Sequence, residues 1–174
     1  KSVQNPYGDI GPQKPLTNPP KIVRAVYLTS WSGGNQAKIA SVLSLAAQGV
    51  VNAVVIDIKD YSGYVGYDTG VPEVSRYGAE EVRIPRINAL LKTLHDHNIY
   101  AIARLTVFQD PMLAHARPDL AVHDIVKMGT STAPLLVANT WKDHKGLSWI
   151  DPSAEEAWRY NMDIAKDALA RGFD

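Results

Sequence analysis

The sequence predicts an α/β fold of the (β/α)-barrel type, parallel strands inside and helices outside, on three observations. Strand-like apolar runs alternate with runs of helical period from Ile22 onward. Each strand run begins apolar and turns polar toward its C-terminal end. Strands joined by helical crossovers are parallel, so those polar ends meet at one rim, the catalytic side of a barrel.

The elements follow in order. Lys1 to Lys21 holds five prolines among Asn, Gly and Gln and has little hydrophobic period, which marks an extended arm or linker ahead of a single domain over 22–174. Ile22–Thr29 is the first strand, with Val23, Ala25, Tyr27 and Thr29 on one face and Ile22, Val26 and Leu28 on the other. Ser32-Gly33-Gly34 turns the chain. Neither GxGxxG nor GxxxxGK[ST] is present there, so a phosphate loop is disfavoured. Asn35 then caps a helix whose Ile39, Val42, Leu43, Ala46 and Ala47 form an apolar stripe ending at Gly49.

Val50–Gly63 carries the strongest strand signal and the densest charge. Val54, Ile56 and Ile58 fall on one face, and Ala53, Val55, Asp57 and Lys59 on the other, so Asp57 and Lys59 are expected to share the polar mouth. A buried ion pair fixing strand register and a catalytic pair are equally open at this point. Asp60–Arg83 is long, aperiodic and rich in Tyr and Gly, suiting a short hairpin over the mouth or a satellite cluster under a loop. Ile87, Leu90, Leu91 and Leu94 recur at helical spacing between Pro85 and Asn98, with His95 and His97 complementing the last turn rather than binding metal. Ile99–Phe108 is the third strand, placing Ile102, Arg104, Thr106 and Phe108 on its inner face. Asp151 and Pro152 read as N-cap and first residue of a last helix with Trp158, Met162, Ala165 and Leu169 on its buried stripe until Gly172. Phe173 and Asp174 open a further strand. The polar segment 134–145, with Trp141, has no clear place.

Composition narrows the functional classes. Eighteen basic residues balance eighteen acidic ones, so no global field favours nucleic acid or an acidic membrane. No apolar run reaches the roughly 20 residues of a membrane span. Cysteine is absent, which removes disulfides and thiolate chemistry. Neither HExxH nor a calcium-loop pattern occurs, so no metal or other cofactor is expected. No signal peptide is present, although a chain starting at Lys1 without Met is compatible with one already removed.

Four ordered blocks, RAVYLTSWSGG from Arg24, VVIDIKDYSG from Val54, AIARLTVFQDP from Ala101 and WIDPSAEEAW from Trp149, resemble a bacterial family of glycoside-hydrolase-like domains. The resemblance spans about Arg24 to Asp174. It implies a (β/α)8 TIM-type barrel and an exported carbohydrate-active enzyme working on cell-envelope or extracellular polysaccharide. A complete barrel takes roughly 250 residues, so this chain corresponds to about the first three to four β/α units, and its open sheet edges predict self-association.

Glycoside hydrolysis in its common form needs a carboxylic acid and a carboxylate about 5 to 10 Å apart. Asp57 is the expected carboxylate, kept ionised by Lys59 and by Arg104 on the next strand. Asp60, Asp110 and Asp151 are candidates for the acid, each also suited to capping, turn formation or substrate hydrogen bonding. Asp57, Arg104 and Asp60 are therefore the predicted catalytic group. Tyr27, Thr29, Trp31, Lys59, Tyr61, Gln109, Asp110, Trp149 and Asp151 are the predicted substrate contacts, with Tyr64 and Phe108 further aromatic candidates. Core packing is the competing role for Phe108 and Trp149. Two other readings stay open: a non-catalytic carbohydrate-binding or scaffold module whose charges only pair with one another, and, more weakly, a barrel enzyme acting on small phosphorylated or carbonyl substrates.

Overall fold

The computed structural model describes residues 6–130 and 133–174. Its centre is a three-stranded parallel sheet in the order β1 (Ala25–Leu28), β2 (Ala53–Lys59), β3 (Tyr100–Leu105). The predicted strands are present, in order and parallel, but shorter. Ile22 and Val23 remain exposed ahead of β1, and Thr29 leaves the strand to cap α1 (Ser30–Gly33), its hydroxyl accepting from Ser32 N at 3.2 Å.

The face carrying Val54, Ile56, Ile58 and Ala101 is buried. Helices α2 (Gln36–Ala47) and α4 (Ile87–Asp96) are the connections between the strands. Asn35 caps α2 as expected, accepting from Ala37 N and Lys38 N, and Ile39 and Val42 point inward. Ile87, Leu90, Leu91 and Leu94 are the buried stripe of α4. The opposite face, with Tyr27, Val55, Ile102 and Arg104, has no described helix and stays half-open, and Tyr27 and Arg104 are exposed. Among the described residues the sheet does not close.

The last helix, α6 (Glu155–Arg171), corrects two expectations. Asp151 is not its cap: the helix begins four residues later, after Ala154, and Asp151 accepts instead from Ser153 N at 2.8 Å and Ser153 Oγ at 2.7 Å. Its buried stripe is Ala157, Tyr160, Asn161, Ile164 and Ala168, while Trp158, Met162 and Leu169 face outward. Both stripes have helical period. The small residues Ala157 and Ala168 lie on the buried side and the larger Trp158, Met162 and Leu169 on the outer one, so side-chain size does not mark the packed face of this helix.

The loop after β2 contains a short helix, α3 (Pro72–Arg76), and returns beside β2 through an antiparallel bridge between Lys59 and Val65. Tyr67 is fully buried there, donating to Asp167 of α6 at 2.8 Å. After β3 come α5 (Pro111–Ala116), a single 3₁₀ turn at Pro118–Leu120, and an antiparallel hairpin of β4 (His123–Thr130) with β5 (Ala133–Thr140), which takes up much of the unplaced 134–145 stretch.

The proline-rich arm is docked on the domain. Asp9 accepts from Asn88 N at 2.9 Å and Ala89 N at 3.0 Å, supplying the side-chain cap that Arg86 does not give α4. Gln13 N donates to Arg171 O at 2.9 Å. Gly172 sits beneath it at φ 108, where a Cβ would stand 2.6 Å from Gln13 O, so both conformation and space require glycine.

Candidate active site

Asp57 occupies the C-terminal end of the central strand, 2 % exposed. Register sets its neighbours. Asp57 pairs directly with Arg104, and Tyr27 pairs with Val55 on the same face, so both side chains project beside the carboxylate. Arg104 Nη1 donates to Asp57 Oδ1 at 2.7 Å and the Tyr27 hydroxyl donates to Oδ2. The hydrogen bond to Asp57, with some burial, holds the Tyr27 phenol above its ordinary pKa. The Arg104 side chain is 52 % exposed, so the buried carboxylate is approached through an open guanidinium and an open tyrosine.

Lys59 is not in this mouth. Asp57 opposes Arg104, but Lys59 opposes Leu105, so Ile58 and Lys59 face a single residue of β3. This bulge turns Lys59 toward the helix-covered side. There it is 0 % exposed, paired with Asp110 Oδ2 at 2.7 Å and donating to Thr106 O at 2.8 Å and Asn161 Oδ1 at 3.1 Å, with the Tyr160 ring 5.7 Å away. Burial pushes its pKa down and Asp110 opposes that only in part. Asp110 is equally buried, and its other oxygen caps α5 by accepting from Leu113 N at 2.8 Å. Gly63 passes directly over it, where a Cβ would lie 2.4 Å from Asp110 Oδ1. Lys59 and Asp110, grouped with the substrate contacts from sequence, form a closed internal pair with no surface to offer.

Asp60 lies beyond the bulge. Burial pushes its pKa up, but hydrogen bonds from the Ser62 hydroxyl and amide and from Arg83 outweigh that and hold it below the ordinary range. Arg83, unremarked in the sequence because it ends an aperiodic loop, contacts Asp60 Oδ2 at 2.6 Å and Glu81 Oε2 at 2.8 Å. Trp31 of α1 and Tyr61 of the loop after β2 stand exposed around this corner, and Tyr64 is half-buried.

A third group gathers on Asp143. Gln109 Nε2 and Trp149 Nε1 donate to Asp143 Oδ2 at 3.1 and 3.0 Å, and Gln109 and Trp149 form an antiparallel bridge. The Trp149 indole, then the Leu147 amide, lower the Asp143 carboxyl to about 2. Asp143 lies in the segment that the sequence left unplaced. Its place in Trp141-Lys-Asp-His-Lys-Gly146, a tight turn closing on Gly146 at φ 77, is the one local signal for it.

The structure thus brings Tyr27, Asp57 and Arg104 into direct contact, keeps Asp60 nearby in sequence on Arg83, and joins Gln109 to Trp149. Thr29 is spent on a cap and Asp151 on its own turn, where the Ser153 amide and hydroxyl lower its pKa. Among the described residues no group of His, Asp and Glu is arranged to hold a metal.

Comparison with known proteins places this chain in a family. Residues 25–174 match the family model described as "Putative glycosyl hydrolase domain". The chain belongs to this family. It is also similar to the crystal structure of a hypothetical protein from Ruminiclostridium thermocellum ATCC 27405, at 37% identity and TM-score 0.74, over 86% of this chain and 72% of that one. No curated protein matches it. Membership covers all three parallel strands and every residue of the Asp57 cluster.

Proposed function

We propose that the chain forms the opening units of a (β/α)8-barrel glycoside hydrolase that cleaves a cell-envelope or extracellular polysaccharide, and so works outside the cytoplasm. The observation that carries this reading is a buried carboxylate, Asp57, at the C-terminal end of the central parallel strand, bonded by Tyr27 and Arg104, which remain open to a ligand. Barrel enzymes place their chemistry at that end of the strands, and the family supports glycosidic substrates. No described helix is long and apolar enough to cross a membrane.

Asp57 acts as nucleophile or as electrostatic stabiliser of an oxocarbenium-like transition state, with Arg104 as its counter-charge. Tyr27 and Arg104 hydrogen-bond the sugar, and Trp31 and Tyr61 supply ring contacts. Asp60 is held ionised by Ser62 and Arg83 and serves as a charged positioning group rather than the acid. One observation favours a second reading, a carbohydrate-binding module without catalysis: Asp60, Asp110 and Asp151 are all committed to internal partners, which leaves none of the expected rim acids free to donate a proton.

Asp57→Asn separates the two. Reducing-sugar release from a polysaccharide panel, measured beside affinity for the same glycans, should show turnover abolished and binding kept. Unchanged binding with no turnover in either form would establish the module. Loss of folding in the variant would reduce the cluster to a structural ion pair.

A further inference from the structure

The corner around Arg83 is built more tightly than a surface loop requires. Gly34 and Gly33 leave room for residues 83–84 to lie against α1: a Cβ on Gly34 would stand 1.9 Å from Arg83 O, and one on Gly33 would stand 3.0 Å from Ile84 Cδ1. From the other side, Gly66 O accepts from Arg83 N at 2.9 Å and Ile84 N at 2.8 Å, and a Cβ on Gly66 would be 2.9 Å from Ser30 Cβ. The glycine turn that suggested a phosphate loop is a seat for this segment.

So placed, the Arg83 side chain is 6 % exposed. Its Nη1 donates to Ser30 Oγ at 2.9 Å and Asp60 Oδ2 at 2.6 Å, and its Nη2 to Glu81 Oε2 at 2.8 Å. These bonds hold the guanidinium carbon over the Trp31 ring, 4.9 Å from its centroid, with the Tyr64 ring centre 5.9 Å away. Trp31 is nevertheless 62 % exposed. Its indole therefore lies on a buried, immobilised cation and stands open to solvent immediately after β1, the strand whose Tyr27 reaches Asp57. An indole fixed before a ligand arrives loses little freedom on binding, and a planar Arg held by three hydrogen bonds stacks on it and orients it more tightly than a Lys ammonium would.

Resting on the glycan reading above, we infer that Trp31 is the stacking platform for a pyranose of the gluco or N-acetylglucosamine type, whose axial hydrogens form an apolar face, and that Arg83 is its positioning residue. Asp60 keeps its hydrogen bonds from the Ser62 amide and hydroxyl without Arg83, so toward the sugar Arg83 acts through Trp31 and the two residues form one energetic unit.

Cellohexaose and chitohexaose are the probes, with affinity measured by calorimetry on the full chain. At least one should bind. Trp31→Ala and Arg83→Lys should each weaken it about tenfold, and the double variant should be no weaker than Trp31→Ala alone. Without sugar, the part of acrylamide quenching due to Trp31, taken as wild type minus Trp31→Phe, should rise in Arg83→Lys. Glu81→Gln, at a more exposed partner, should move the quenching in the same direction and stands in if Arg83→Lys does not fold. Bound sugar with either single variant unaffected, multiplying effects in the double variant, or unchanged quenching overturns the assignment. Binding of another glycan but of neither probe overturns the ring type while leaving the glycan reading intact. A wild-type chain that binds no glycan overturns both.

Discussion

Lys59 shows how a single residue decides what a site contains. Alternation along β2 puts it beside Asp57, and one bulge carries it through the sheet to Asp110. Alternation assumes an unbroken ladder, and nothing in the residue types announces a bulge. Removing one member of a fully buried pair leaves an uncompensated charge, so Lys59→Met should destabilise the chain by about 3–5 kcal/mol. Urea unfolding would measure this, and adding Asp110→Asn, which keeps a side-chain oxygen for the α5 cap, should restore most of the loss. A cost below about 1 kcal/mol would mean the pair is not structural. Asp143 gives a pH test at the same scale. Its carboxyl should titrate near 2, against an ordinary 3.8, and Trp149→Phe should move it back toward 3.8 in an NMR titration, because the indole N–H is the largest cause. A folded pKa below the unfolded one means that its contribution to stability is complete above 3.8 and is lost as pH falls toward 2. An unchanged midpoint in the variant would remove Trp149 as the cause.

Between single residues and the whole chain, helical and strand periods read the elements well where one face is buried, and poorly where chemistry rather than period forms the structure. The parallel strands, the α2 cap at Asn35 and the α4 stripe were legible, because apolar spacing and local side-chain bonds determine them. At the site, the meeting of Tyr27, Asp57 and Arg104 followed from parallel register. Arg83, Asp143 and the orientation of α6 did not, since each depends on contacts between segments distant in sequence. The arm is the clearest case. Its composition reads as a linker, yet Asp9 reaches 79 residues along the chain to Asn88. Asp9→Ala should lower stability by about 1 kcal/mol, the usual worth of a helix cap. The loss should be largest in amide-exchange protection of the first turn of α4. An unchanged denaturation midpoint would return the arm to the role of a spacer.

At the scale of the whole chain, the sheet has two unlike edges and, among the described residues, one face without a covering helix. Beside β1, Ile22, Val23 and Tyr27 are exposed. Beyond β3, an apolar recess of about 440 Å³ is lined by Ile58, Ile102, Leu105, Ala165, Leu169 and Phe173, and Trp158 and Met162 lie exposed on the same helix. Among the described residues, Asp174 is bonded along β3 there, its amide donating to Ala101 O at 2.9 Å and its Oδ2 accepting from Ala101 N at 2.7 Å. Exposed strand edges and contiguous apolar surface favour association, and a β1 edge meeting a β3 edge would continue a parallel sheet head to tail between copies. These 174 residues, prepared as they stand, should therefore self-associate, with a mass above 19.1 kDa by light scattering on a sizing column. The association should weaken on Leu169→Glu, which charges the recess without touching the Asp57 cluster. A monomer at all concentrations would sink the idea and show that the outward stripe of α6 is tolerated in water.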